Sequence, residues 1–129
     1  MIFTAYTDNS ENLYDISIQS CGHIFAENGR RIHRPTGRAD WLLFYVAKGC
    51  ERFYLDGQTD AHDGDFILFR PHEKQEHICI SPNTSEFYYI HFTAPADFDL
   101  FGFQSSHVYK ANFCPAVRDL FNEVLEELQ

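Results

Sequence analysis

GDFILFRPHEKQEHICI, from Gly64 to Ile80, holds two apolar runs hinged on a polar corner. Gly64-Asp65 is turn chemistry, and Phe66 to Phe69 has the aromatic and branched character of a strand built into a wall. Pro71 cannot donate to a central ladder, so the first strand ends there, and EHICIS takes up a second strand from Glu76.

The same rhythm runs through most of the chain. LYDISIQSCGHIFA, from Leu13, alternates apolar and polar positions, with RIHRP (Arg31 to Pro35) and DWLLFYVAKG (Asp40 to Gly49) as its candidate partners. ERFYLDGQTDAH carries Asp56-Gly57, a hairpin signal because both positions tolerate positive φ. EFYYIHFTA follows, bounded like the others by turn residues. Strands at roughly eight- to twelve-residue spacing, with no intervening helix to make a parallel crossover, predict a mainly β antiparallel sandwich or small barrel over about residues 13–110.

The pattern changes after Pro115. AVRDLFNEVLEELQ sets Val117, Leu120, Phe121, Val124, Leu125 and Leu128 at three- and four-residue steps, the apolar stripe of a helix over 115–129. The stripe has two uses: packing on the barrel, or pairing with its copy in a second subunit. At the other end, residues 1–12 are polar and turn-rich and read as a flexible arm, with Ile2, Phe3 and Tyr6 able to close over a ligand.

At 129 residues the chain is the size of one domain, and 44% hydrophobic content supplies one packed core. Nineteen Asp and Glu against ten Lys and Arg give a formal charge of -9, the wrong sign for binding DNA phosphates directly. Cys21, Cys50, Cys79 and Cys114 lie far apart without a C-x-x-C pair, so buried free thiols are expected instead of a zinc knuckle or redox motif. The first residues lack the basic start and apolar run of a signal peptide, and no segment reaches the roughly 18 apolar residues of a membrane span. A soluble, cytoplasmic protein without a membrane partner is expected.

Catalytic patterns are weak. Glu123, Glu126 and Glu127 mark the wet side of the last helix, and no G-x-S-x-G elbow supports a nucleophile. His33, His62, His72, His77 and His91 sit in or beside strands, but no H-x-H pair puts two imidazoles on one strand face. A pocket for a small polar molecule suits the aromatic runs Trp41 to Tyr45 and Phe87 to Tyr89 better. Alternation allows either the odd or the even pair of Phe87 to Ile90 to face inward.

RPTGRADWLLFYVAKG (Arg34 to Gly49), GDFILFRP (Gly64 to Pro71) and YYIHFT (Tyr88 to Thr93), in this order and separation, resemble the N-terminal effector-binding and dimerisation domain of AraC-type bacterial transcription regulators, members of the cupin superfamily. The resemblance covers roughly Ile16 to Gln129. It implies a cupin-like antiparallel jelly-roll barrel with a C-terminal helix, a small-molecule effector of sugar-like character, and a homodimer formed through that helix. It also implies a DNA-binding domain with two helix-turn-helix motifs, which would have to lie outside this chain.

By the same resemblance Arg34, His77, Phe87 and Tyr89, with Gln75 at the corner, are the expected ligand contacts: Arg34 as a fork of donors, the two rings as stacking faces, and His77 as donor or acceptor. No catalytic residue, metal or cofactor is expected. The metal motif of cupin enzymes, G-x5-P-x-G-x2-H, laid on Gly64 puts Arg70, His72 and Gln75 at its last three fixed positions, and a shift to Pro71 puts Glu76 at the ligand position. The competing expectation is a small metal-dependent cupin, an isomerase or dioxygenase, with a divergent site at His33, His77 and His91.

Overall fold

The computed structural model of the chain describes residues 2–5, 14–96, 98, 107–111 and 115–128. In chain order these form β1 (Ile2–Ala5), β2 (Tyr14–Ala26), β3 (Arg31–Arg34), β4 (Trp41–Lys48), β5 (Cys50–Leu55), β6 (Gly57–His62), β7 (Phe66–Phe69), β8 (Gln75–Cys79), β9 (Ser85–Thr93), β10 (His107–Tyr109) and α1 (Pro115–Glu127). Two antiparallel sheets result, ordered β1-β2-β9-β4-β7-β10 and β3-β8-β5-β6. The architecture is an antiparallel jelly roll with one C-terminal helix.

The corner at Arg70 to Lys74 carries the chain from one sheet to the other: β7 belongs to the larger sheet and β8 to the smaller. His72 sits at its tip with φ of 66°, a left-handed conformation unusual for a residue with a side chain. The His72 amide donates to the Arg38 carbonyl at 2.7 Å, which ties the corner to the loop before β4.

β4 reads as an unbroken apolar run because both of its faces are covered. Leu42, Phe44 and Val46 join Phe53, Ile67, Phe69 and Phe87 in the core between the sheets. Trp41 and Tyr45 point to the other face, where Leu68, Tyr88, Phe92, Phe98 and Phe121 make a second core under the helix. Of the β9 quartet, the odd pair faces the space between the sheets, and Tyr88 and Ile90 face the helix.

α1 begins at Pro115, whose missing N–H costs nothing at a helix start. Its stripe packs on the barrel: Phe121 stacks on Tyr88 at 5.1 Å and on Tyr45 at 5.4 Å between ring centres. Tyr88 donates its hydroxyl to Asn122 at 3.0 Å, and Arg118 reaches Glu86 at 3.2 Å. Leu120 remains 59% exposed and Leu128 37% exposed, so part of the stripe is left over.

Three expectations are corrected. β2 pairs with neither RIHRP nor DWLLFYVAKG but with β1 and β9, while β3 pairs with β8 and β4 with β7 and β9. Ile2–Ala5, read as part of an arm, is an edge strand, whereas Tyr6 and the remainder of that arm lie outside the described residues. Of the cysteines, only Cys79 is fully buried; Cys21 and Cys50 are half-buried free thiols, and Cys114 lies outside the described residues.

A bulge between Ile18 and Ser20 explains the mixed pattern of β2. Before it, Ile16 and Ile18 pack under the helix; after it, Ile24 and Ala26 face the core between the sheets. The phase of the strand therefore changes within a single run, and this change turns Ser20 and Ile24 towards the site.

Candidate functional site

Residues of both sheets line an open cavity of about 260 Å³. Its apolar wall is Ile24 from β2, Ile32 from β3, and Leu42 and Phe44 from β4. Its polar wall is Ser20, His77, Tyr89 and His91 on strands β2, β8 and β9, with Arg30, Arg34 and Arg38 around the two ends of β3. A second gap of about 350 Å³ lies between β2 and the end of α1, lined by Gln19, Ser20, Cys21, Leu125 and Leu128, with no charged group.

Arg34 closes β3 directly opposite Gln75 of β8, and its Nη1 donates to Gln75 Oε1 at 2.9 Å. Gln75 is fully buried and stands behind Arg34, off the cavity wall; its Nε2 has no hydrogen-bond partner. Burial lowers the Arg34 pKa, and the neighbouring Arg38 charge lowers it further. It remains a cation at any physiological pH.

His77 is held from the opposite side. Its Nδ1 donates to Glu51 Oε2 at 2.5 Å, with both side chains almost fully buried. A carboxylate oxygen can only accept, so Nδ1 supplies the proton of this bond. Glu51 escapes a reading of motifs, although the alternation of CERFYL places a carboxylate on the same inward face as Phe53.

Arg38 grips Asp40 with two bonds, Nε to Oδ1 at 2.8 Å and Nη2 to Oδ2 at 3.1 Å. Burial pushes the Asp40 carboxyl up, but the Arg38 pair and the His91 ring together outweigh it and hold Asp40 below its ordinary value. His91 Nδ1 lies 3.5 Å from Asp40 Oδ1 yet closes no aligned hydrogen bond, so the contact is electrostatic. Burial, then the Arg38 charge, lowers the His91 pKa against the pull of Asp40.

Tyr89 reaches the wall over a glycine. Gly22 is its partner across β2 and β9, and a Cβ there would meet the Tyr89 ring at 2.4 Å. The Arg34 to Arg38 segment is fixed in a similar way: Gly37, with φ of 66°, lies so close to the corner that a Cβ would meet the Glu73 carbonyl oxygen at 2.1 Å. Residues 17–129 match the family described as AraC-like ligand binding domain. The chain belongs to that family.

In this AraC-like domain, Arg34, His77 and Tyr89 meet on one cavity, and Gln75 supports Arg34. Phe87 does not join them: it is buried in the core against Phe44 at 5.0 Å between ring centres, and Phe44 takes the aromatic place on the wall. His33 is exposed on β3, apart from His77 and His91, so the divergent triad does not assemble. Among the described residues no three His, Cys, Asp or Glu side chains gather as a metal site. Sequence reasoning missed Arg30 and Arg38, since single arginines in loops look like surface.

No curated protein matches the chain. Among solved structures, it is similar to ToxT from Vibrio cholerae, with 11% identity and a TM-score of 0.48 over 84% of this chain and 36% of that one. The EutQ protein of Clostridium difficile shares 18% identity, with a TM-score of 0.43 over 74% of this chain and 78% of its own. A cupin protein from Bacteroides fragilis shares 10% identity, with a TM-score of 0.45 over 86% and 90%.

Proposed function

We propose that the chain is the ligand-sensing module of an AraC-type transcription regulator, non-catalytic and cytoplasmic. A small, polar, sugar-like effector enters the cavity, and its occupancy controls an attached DNA-binding domain. Support comes from the convergence of Arg34, His77 and Tyr89 opposite Ile24, Leu42 and Phe44 in a chain of this family. Such a wall suits a molecule with hydroxyls on its edge and an apolar face, because the forked guanidinium and the imidazole fix the edge while a ring covers the face. The cavity, a little under the roughly 300 Å³ where ligand pockets begin, suits an effector of metabolite size.

Signalling requires the effector to bind two arrangements of the protein with different affinity. The part of α1 left uncovered supplies the second arrangement: Leu120 and Leu128 extend the packed stripe outward and fit a second copy of the chain. Among the described residues no helix is long and apolar enough to cross a membrane.

The test is a thermal-shift screen of monosaccharides and their derivatives. A binder at a hundred times its Kd stabilises the fold by about 2.7 kcal/mol, and Arg34→Ala should abolish the shift. A binder that stabilises Arg34→Ala and Tyr89→Ala as well as the parent chain would place the effector elsewhere.

A further inference from the structure

The cavity wall has a charge opposite to that of the protein. The chain carries nineteen acidic residues against ten basic ones, yet three arginines and no carboxylate line this cavity. Two carboxylates beside the wall are already engaged, Asp40 by Arg38 and Glu51 by His77. Arg30 and Arg34 have no ion-pair partner among the described residues, and the one side-chain bond Arg34 makes goes to the neutral amide of Gln75.

Arg34 is partly buried and feels the like charges of Arg38 and Arg30, with Asp40 opposing, while Arg30 is exposed to solvent; a bound anion would offset that burial and repulsion. We propose that the effector of this site carries an anionic group, a carboxylate or a phosphate, seated between Arg30 and Arg34. The inference rests on the reading of this cavity as the effector site and narrows it from polar molecules in general to small organic anions.

The chemistry is matched on both sides. A guanidinium presents paired N–H donors to two oxygens of one carboxylate or phosphate, and such charge-assisted bonds are about twice as strong as neutral ones. Arg30 sits on the turn between β2 and β3, whose backbone is fixed by the Gly29 amide on the Cys79 carbonyl at 2.8 Å and the Cys79 amide on the Arg30 carbonyl at 2.9 Å. The side chain thus projects from an anchored turn. The apolar part of the wall, Ile24, Ile32, Leu42 and Phe44, receives an uncharged body.

The experiment titrates the chain with gluconate, glucuronate and galacturonate, with glucose 6-phosphate, and with glucose and glucuronamide as uncharged counterparts. Acids or phosphates are expected to bind at least roughly tenfold more tightly than their uncharged counterparts. Arg30→Gln should remove most of that advantage while leaving the ligand-free unfolding midpoint unchanged, and Arg34→Lys should retain part of it. The acid and phosphate arms distinguish the two sources of the anion, and either result upholds the proposal. Glucose or glucuronamide bound as tightly as the acids would overturn it and leave the cavity standing as the effector site. Acids that bind with equal affinity to Arg30→Gln and the parent chain would also overturn it. If no member of the panel binds, both the anion and the effector reading of the cavity fail.

Discussion

Tyr89 lies over Gly22, its partner across β2 and β9, so closely that a Cβ on Gly22 would stand 2.4 Å from Tyr89 Cε1 and 2.6 Å from its hydroxyl oxygen. The atoms in the way are the far end of a side chain, and a side chain can rotate. Gly22→Ala is therefore expected to fold, with an unfolding free energy within about 1 kcal/mol of the parent, while the Tyr89 ring swings off the cavity wall. Effector affinity should fall by up to about tenfold, the worth of one well-placed aromatic contact. Urea unfolding and ligand titration on the same variant separate the two effects.

Glu51 and His77 form a pair that the inter-sheet core cannot leave half made. Both are almost fully buried, and rings flank the imidazole, with Phe53 4.9 Å and Phe44 5.2 Å from the His77 ring centre. Glu51→Leu leaves a buried imidazole N–H without an acceptor and is expected to cost about 3 kcal/mol. Glu51→Gln keeps an oxygen acceptor for Nδ1 and should lose about 1 kcal/mol. Equal losses for the two variants in urea unfolding would mean that shape, not the hydrogen bond, is what Glu51 supplies.

The Asp40 and His91 pair sets a direction for pH. Burial, then the Arg38 charge, holds the folded His91 below its ordinary 6.5, with the smaller Arg34 charge acting the same way and Asp40 opposing. Asp40 is also held below its ordinary 3.8, because Arg38 and His91 outweigh its burial. In each case the unfolded chain takes up a proton before the folded one does, so acid favours unfolding. Both contributions are complete above the unfolded values and fade as pH falls, His91 first from about 6.5 and Asp40 from about 3.9. The unfolding midpoint should thus decline below about pH 6.5, and His91→Asn should flatten that upper part of the curve. A midpoint that rises on acidification to pH 5 would contradict this account.

What was legible in the sequence follows from how far each signal reaches along the chain. The stripe Val117, Phe121, Val124 and Leu125 is a local period, and α1 packs that face. Asp56-Gly57 is a local turn signal, and β5 and β6 pair across it from Leu55 and Gly57. The partners of β2 were not legible, because in a jelly roll they lie distant in sequence and the bulge after Ile18 breaks the alternation that would set their register. The site divides in the same way. Alternation puts Phe44 and Phe87 both inward, but which ring reaches the cavity depends on depth in the sandwich, a tertiary property. Arg30 and Arg38 lie in loops, where nothing local separates a pocket arginine from a solvated one.

Phe121 is the key that locks α1 to the outer sheet face. Its ring sits on Tyr45 and Tyr88 and is 7% exposed, whereas Leu120 beside it is 59% exposed. Phe121→Ala is expected to cost about 3–5 kcal/mol and to release the helix. Leu120→Lys touches none of that packing and should leave monomer stability within about 0.5 kcal/mol. If α1 also pairs two copies, Leu120→Lys shifts sedimentation towards the monomer. Unchanged sedimentation of a dimeric parent would assign the interface to another face.

Gly37 links the corner between β7 and β8 to the arginines of the site. It ends the turn from Arg34, its amide donates to the Arg34 carbonyl at 3.1 Å, and its backbone abuts the Glu73 carbonyl. Its φ of 66° is the left-handed value that other residues adopt with a modest penalty, so strain alone makes Gly37→Ala cost about 1–2 kcal/mol. Gly57, with φ of 97° and nothing within 4 Å of an added Cβ, carries at least as much backbone strain and no clash, so it is a conservative control. Any loss in Gly37→Ala beyond that of Gly57→Ala measures the clash with Glu73, and because backbone cannot rotate away, Arg34 and Arg38 must move. The expected outcome is a larger loss of stability at Gly37 by at least about 1 kcal/mol, with effector binding lost at Gly37 and intact at Gly57. Equal losses, with binding retained in both, would show that the loop relaxes and that the glycine serves its turn alone.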